Sequence, residues 1–194
     1  RYFTDPFQAV PTDGYTAMFE RILAHPLIEL QLAVPMEKRI ELDWQKKAVI
    51  LDGKPFIGRV IYTGMLDQLI PDKAIHLPYR SLRFEHKHLS QTQFQPVTTV
   101  NYPNEQAFTR ITEFKHLTGQ QHAGTSIVYE YPCAYEPETD LEPYYPIFTE
   151  LAQQNYKHCH QLLGCFPQIV ALGRLAEYRY FDMDDAVDNA LHIY

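Results

Sequence analysis

The 194 residues are 45% apolar and 13% aromatic and carry a formal net charge of -7 at pH 7. That length and apolar content bury a real core, as one domain or two interleaved ones. The acidic balance, with no clustered run of lysine and arginine, argues against a nucleic-acid role built on counterion release.

Cys133, Cys159 and Cys165 have no scaffold spacing and read as reduced thiols of a cytoplasmic protein. These residues show no signal-peptide pattern and no apolar run long enough to cross a bilayer. The chain opens Arg1-Tyr2-Phe3, without an initiating methionine, and reads as a piece of a longer protein. Its eight glycines are scattered and none forms Gly-x-Gly-x-x-Gly, so these residues are not expected to build a dinucleotide cradle alone.

Residues 1–10 read as an irregular lead-in whose large apolar pair, Tyr2 and Phe3, either packs on the core or serves a site. From Thr12 or Asp13 a helix is predicted to about Ala24, and its stripe of Tyr15, Met18, Phe19, Ile22 and Leu23 is assigned to the core. Leu27–Val34 alternates as a half-buried strand should. Lys47–Leu51 and Arg59–Thr63 read as further strands, the first ending at a turn on Asp52-Gly53. Gly64 closes the second, either for a plain turn or for close approach of backbone to a ligand.

Between Tyr79 and Tyr131 the runs Ser81–His86, Val97–Tyr102, Phe108–Lys115 and Ser126–Tyr131 indicate an antiparallel sheet carrying Asn101, Arg110, Glu113 and Glu130. Phe108 and Arg110 share a face, which suits a cation beside a stacked base; the alternative is a surface ion pair of Arg110 with Glu113 or Glu130. Pro143-Tyr144-Tyr145-Pro146 is a stiff aromatic turn into a helix over about Ile147–Leu163, stopped by Gly164 and Pro167. His158-Cys159-His160 on that helix diverge at i and i+2, so no metal site is expected, and His86-Lys87-His88 reads as a solvated strand end.

Ile169–Leu172 is a buried strand that delivers the stretch around which the chain is organised, Gly173 to Ala186. Arg174, Tyr178, Arg179 and Tyr180 lie just before a helix start marked by Asp182, Asp184 and Asp185. Two guanidiniums and two phenols beside a helix N-terminus suit a phosphate or the electron-rich edge of a cofactor ring; the alternative is a helix cap with solvated arginines.

Tyr2-Phe3, Gly14-Tyr15-Thr16, Tyr62-Thr63-Gly64, Tyr79-Arg80-Ser81-Leu82, Asn101-Tyr102, Thr109-Arg110-Ile111-Thr112-Glu113, Glu130-Tyr131, Pro143-Tyr144-Tyr145-Pro146 and the stretch after Gly173 together resemble the UDP-galactopyranose mutases of bacteria, in order and spacing. The resemblance covers essentially the whole chain. It implies a mixed α+β and α/β fold in which an antiparallel-sheet substrate domain (67–166) is interleaved with parts of a Rossmann-like FAD-binding domain (11–66 and 167–194), after a substrate-side lead-in (1–10). It implies a flavin-dependent isomerase that interconverts UDP-galactopyranose and UDP-galactofuranose through an adduct of reduced flavin N5 with the sugar, serving cell-wall or polysaccharide synthesis.

By the same resemblance Arg110, Arg174 and Asp182 are catalytic. Tyr2, Phe3, Asn101, Arg110, Glu130, Tyr145, Arg174, Tyr180 and Asp182 contact UDP-galactose, and Gly173, Arg174 and Met183 contact FAD. The glycine-rich segment and a mobile lid of the family lie upstream of Tyr2, so the missing N-terminal part of the polypeptide is an expected partner and the 194 residues alone are expected to be inactive. A homodimer is possible, and no metal is expected. Trp44 is read as structural, and Phe114 stands where relatives often have histidine. The competing reading is a non-catalytic nucleotide-sugar or glycan-binding domain; an amine-oxidase type flavoenzyme fits the tyrosines and Arg110 less well.

Overall fold

The computed structural model describes residues 6–193. In chain order its first elements are α1 (Gly14–Leu23), β1 (Ile40–Asp43), β2 (Ala48–Leu51), β3 (Lys54–Phe56), β4 (Val60–Tyr62), β5 (Tyr79–Leu89), β6 (Thr99–Asn101) and β7 (Arg110–Glu113). Then follow α2 (Lys115–Thr118), β8 (Thr125–Ala134), β9 (Tyr145–Pro146), α3 (Glu150–Leu163), β10 (Ile169–Ala171), α4 (Gly173–Ala176) and α5 (Met183–His192). The chain divides into two compact units, Arg1–Ala33 with Arg83–Pro132 and Val34–Leu82 with Cys133–Tyr194.

In the second unit β1, β2 and β3 form an antiparallel meander. Asp52 and Gly53 both take positive φ, +50° and +74°, the geometry that lets a two-residue hairpin follow the strand twist. Arg39 pairs with Asp52 at that turn. Beside the meander β10 pairs parallel to β4, and Leu172 N–H extends the ladder to Tyr62 O at 3.0 Å.

Helix α3 starts where the Thr149 hydroxyl accepts Ala152 N–H at 3.1 Å, and it turns Ala152, Cys159 and Leu163 into the core. Around them pack Val49, Tyr62, Leu66, Ile70, Leu77, Tyr79 and Phe166, with Trp44 edge-on to Phe166 at 4.8 Å. Trp44 is half-buried in this packing. His158 and His160 are exposed on either side of the buried Cys159, whose thiol burial pushes up to about 11.

In the first unit β6, β7, β8 and β5 are neighbours in that order. Strand β5 begins in the second unit, where Tyr79 and Arg80 pair with Pro146 and Tyr145 of β9. Glu113, at the end of β7, is fully buried. Its carboxylate accepts the N–H groups of Phe94 (3.0 Å) and Gln95 (2.8 Å) and the Thr125 hydroxyl (2.6 Å). Burial pushes the carboxyl up, but these donors outweigh it and hold Glu113 below the ordinary range. The segment it pins leads directly into β6.

Two expectations are corrected. The stripe of α1 is not core: Phe19 is 54% and Ile22 60% exposed, and no residue of the helix is buried. Period 3.6 marks an apolar face without specifying what covers it. Leu27–Val34 forms no strand, and Leu27 and Leu32 are exposed, because alternation lacks force where no neighbouring strand supplies the ladder.

Candidate functional site

The organising stretch is built differently from a simple strand exit. After β10 the chain turns at Gly173, with φ +88°, makes the single turn α4 and reaches α5 through Tyr178–Asp182. Glu177 folds back so that Oε1 accepts Gly173 N–H at 2.7 Å and the Asn189 amide at 2.5 Å. Tyr178 is left-handed at φ +47°, a conformation that costs a non-glycine residue about 1–3 kcal/mol. Its ring is buried against Tyr79, Phe148 and Tyr156. Its hydroxyl lies 2.8 Å from Pro78 O and 2.7 Å from Ile147 O, and burial pushes the phenol up to about 12.

That anchor sets the geometry of Arg174. Its Nε donates to Phe181 O at 3.1 Å, Nη2 donates to the same oxygen, and Nη1 donates to Tyr144 O at 3.1 Å. Its Cζ stands 4.5 Å from the centre of the Tyr180 ring and 5.6 Å from that of Tyr145. The two rings stack at 6.0 Å with 9° between their planes. Three of the five N–H donors of a guanidinium are thus committed to backbone carbonyls, and two remain. Burial, then the nearby Asp182 charge, push the Tyr180 phenol up, against the pull of Arg174. Asp182 is the N-cap of α5 and forms a capping box with Asp185, which accepts Asp182 N–H at 3.1 Å. Met183, first in the helix, is 70% exposed.

In the first unit, Asn101, Arg110 and Glu130 are direct register partners across β6, β7 and β8 and so form one row on one face. Arg110 Nε donates to Asn101 Oδ1 at 3.0 Å, and Nη1 lies 3.7 Å from Glu130 Oε2. Glu113 is not a partner of Arg110: three residues along a strand it points to the opposite face. Phe108 is enclosed edge-on by Tyr102, Tyr129 and Tyr131.

The adjacent parallel strands β4 and β10 each reach a glycine just past their carboxyl ends, Gly64 and Gly173, the edge at which parallel sheets bind ligands. A Cβ on Gly173 would meet nothing within 4 Å, which leaves room for a bound group. At Gly64 the space is taken, since a Cβ would strike the Tyr62 hydroxyl at 2.6 Å; that glycine serves internal packing. Next to β4 a cavity of about 730 Å³ is lined by Leu42, Trp44, Ile61, Tyr62, Thr63 and Lys73, among others. Its size falls in the range of cofactor pockets. The open backbone at Gly173, the exposed start of α5 and this cavity are compatible with a flavin dinucleotide. Among the described residues no cluster of His, Cys, Asp and Glu could hold a metal ion.

The model of the UDP-galactopyranose mutase family matches residues 1–180. The chain belongs to that family. It is 35% identical to UDP-galactopyranose mutase of Mycoplasma pneumoniae, over 98% of this chain and 48% of that protein. It is 30% identical to dTDP-fucopyranose mutase of Escherichia coli over the same shares. A crystal structure of reduced UDP-galactopyranose mutase matches 84% of this chain and 50% of its own, with a TM-score of 0.58 at 18% identity, and shows a common mixed α+β fold. The chain therefore spans about half the length of the curated relatives it matches.

Of the residues assigned by resemblance to the family, Tyr145, Arg174, Tyr180 and Asp182 come together in the second unit, with Gly173 and Met183 at the ends of the same stretch. Asn101, Arg110 and Glu130 come together in the first. Tyr2 and Phe3 lie outside the described residues. Sequence reasoning missed the carbonyls of Tyr144 and Phe181 and the Glu177 clasp. Backbone acceptors carry no residue signature, and the pairing of Glu177, just past α4, with Asn189 on α5 appears only in the folded chain.

Proposed function

We propose that the protein is a sugar-nucleotide mutase that interconverts UDP-galactopyranose and UDP-galactofuranose with FAD in its reduced form. The observation that carries this reading is the Arg174 guanidinium, held by two carbonyls beside two stacked phenols, with two N–H donors left for an anion. A planar donor fixed in this way suits a diphosphate leaving group, whose charge grows as the bond to the sugar breaks. Tyr145 and Tyr180 add neutral donors to the same oxygens, and Asp182 lies on the sugar side. In the first unit Arg110, oriented by Asn101 and Glu130, is a separate guanidinium that the family resemblance assigns to the substrate.

Bound flavin would supply nucleophilic chemistry toward the anomeric carbon of the sugar. Gly173, Arg174 and Met183 would hold it, and the N-terminus of α5 would favour negative charge on its pyrimidine end. The reaction is placed in the whole protein: with no Gly-x-Gly-x-x-Gly, the 194 residues alone are expected to be inactive. Among the described residues no helix is long and apolar enough to cross a membrane.

The relationship to a dTDP-fucopyranose mutase makes dTDP-fucose the second substrate to try. The test is an assay of the natural full-length protein with FAD, dithionite and UDP-galactofuranose, following UDP-galactopyranose by chromatography, with the dTDP-fucose pair in parallel. Conversion of the UDP pair supports the proposal. A flavin-loaded protein that converts neither pair refutes it and leaves a nucleotide-sugar binder.

A further inference from the structure

The arginines considered for the substrate differ in how far their charge and donors are already answered. Arg110 faces Glu130, and Arg174 has three donors on carbonyls. Arg80 is exposed and, among the described residues, makes no ion pair and no side-chain hydrogen bond. It is the second residue of β5 and the direct register partner of Tyr145 on β9.

Directly opposed residues of an antiparallel pair share a face, with Cβ atoms about 4.5–5.5 Å apart. Arg80 therefore leaves the sheet on the side where the Tyr145 ring meets Arg174 and stacks on Tyr180. Its position is well fixed. Arg80 O accepts Tyr144 N–H at 3.0 Å, and the same Tyr144 gives its carbonyl to Arg174 Nη1. The next residue, Ser81, is buried and donates to Glu142 O at 2.6 Å. Arg174 thus stands beside the Tyr145 ring and Arg80 leaves the sheet on the same face, and among the described residues neither makes an ion pair with a carboxylate. Asp182, the acid of that cluster, is engaged at the start of α5.

We propose that Arg80 is a further phosphate-binding residue, which meets the diphosphate of the nucleotide sugar from the Tyr145 side while Arg174 meets it from the Tyr180 side. A diphosphate carries more than one negative charge, and Arg174, with only two free donors, cannot answer all of its oxygens. Arg80 adds a guanidinium fork that, among the described residues, has no side-chain partner. This assignment rests on the nucleotide-sugar reading above.

The test is the affinity of the natural full-length protein for UDP, inorganic pyrophosphate and uridine, measured by calorimetry for the wild type, Arg80→Ala and Arg80→Lys. The expected result is a loss of about ten-fold or more for UDP and pyrophosphate in Arg80→Ala, an unchanged affinity for uridine, and a smaller loss in Arg80→Lys. Wild-type binding of UDP with an Arg80→Ala affinity within about two-fold overturns the role of Arg80 and leaves the wider reading intact. An equal loss for uridine also overturns it, since the effect would then be structural. A wild type that binds no UDP overturns both.

Discussion

Replacing Glu113 by glutamine keeps the shape of a fully buried side chain and removes its charge. The carboxylate receives Phe94 N–H, Gln95 N–H and the Thr125 hydroxyl, with His116 Nε2 at 3.3 Å. The amide keeps one acceptor oxygen and presents an NH₂ group to the rest. The Thr125 hydroxyl can turn to accept from it, but the backbone donors cannot turn. With about 1 kcal/mol of charge assistance lost on each of two or three bonds, the expected cost is about 2–3 kcal/mol. That equals about two orders of magnitude in local opening.

The assay is amide hydrogen exchange in the natural full-length protein, read at Phe94 and Gln95 and through Thr99–Asn101. Folding lowers the Glu113 pKa, so the stabilisation is fully present above the unfolded value of 4.5 and is lost as pH falls through the lower folded value. The wild type and Glu113→Gln should therefore differ at pH 7 and converge in acid. A difference of less than about three-fold at pH 7, or one that persists unchanged in acid, would refute the reasoning.

Tyr178→Phe should destabilise the second unit by about 1 kcal/mol, seen as a lower urea midpoint, because Pro78 O and Ile147 O each keep a backbone donor, from Ile147 and Thr149. A cost above about 3 kcal/mol would mean that those carbonyls depend on the phenol. Cys159, buried and with its thiol raised to about 11, should resist iodoacetamide at pH 8 in the native protein, while Cys133 and Cys165, both partly exposed, react first; mass spectrometry of the alkylated peptides decides.

Much of the sheet was legible because its signals are local. Alternation, glycine and proline punctuation and the Asp52-Gly53 turn marked β2, β4, β5, β7, β8 and β10 to within a few residues. The three acids at the start of α5 marked its cap. Residues 12–34 misled for one reason in both of their elements: periodicity reports which side is apolar, while burial depends on a partner surface that the pattern does not name. At the site, Arg174 and its phenols were visible as residue types. What holds them was not, since Phe181 O, Tyr144 O and the left-handed Tyr178 are properties of the folded backbone. Parity alone could have removed Glu113 as a partner of Arg110.

The proposed role of Arg174 as the fixed guanidinium for the diphosphate is tested by the affinity of the full-length Arg174→Lys protein for UDP and for uridine. Lysine keeps the charge but cannot donate to both carbonyls and to a phosphate in one plane. A loss of about 100-fold for UDP with uridine unchanged is expected. UDP binding at the wild-type level would contradict it.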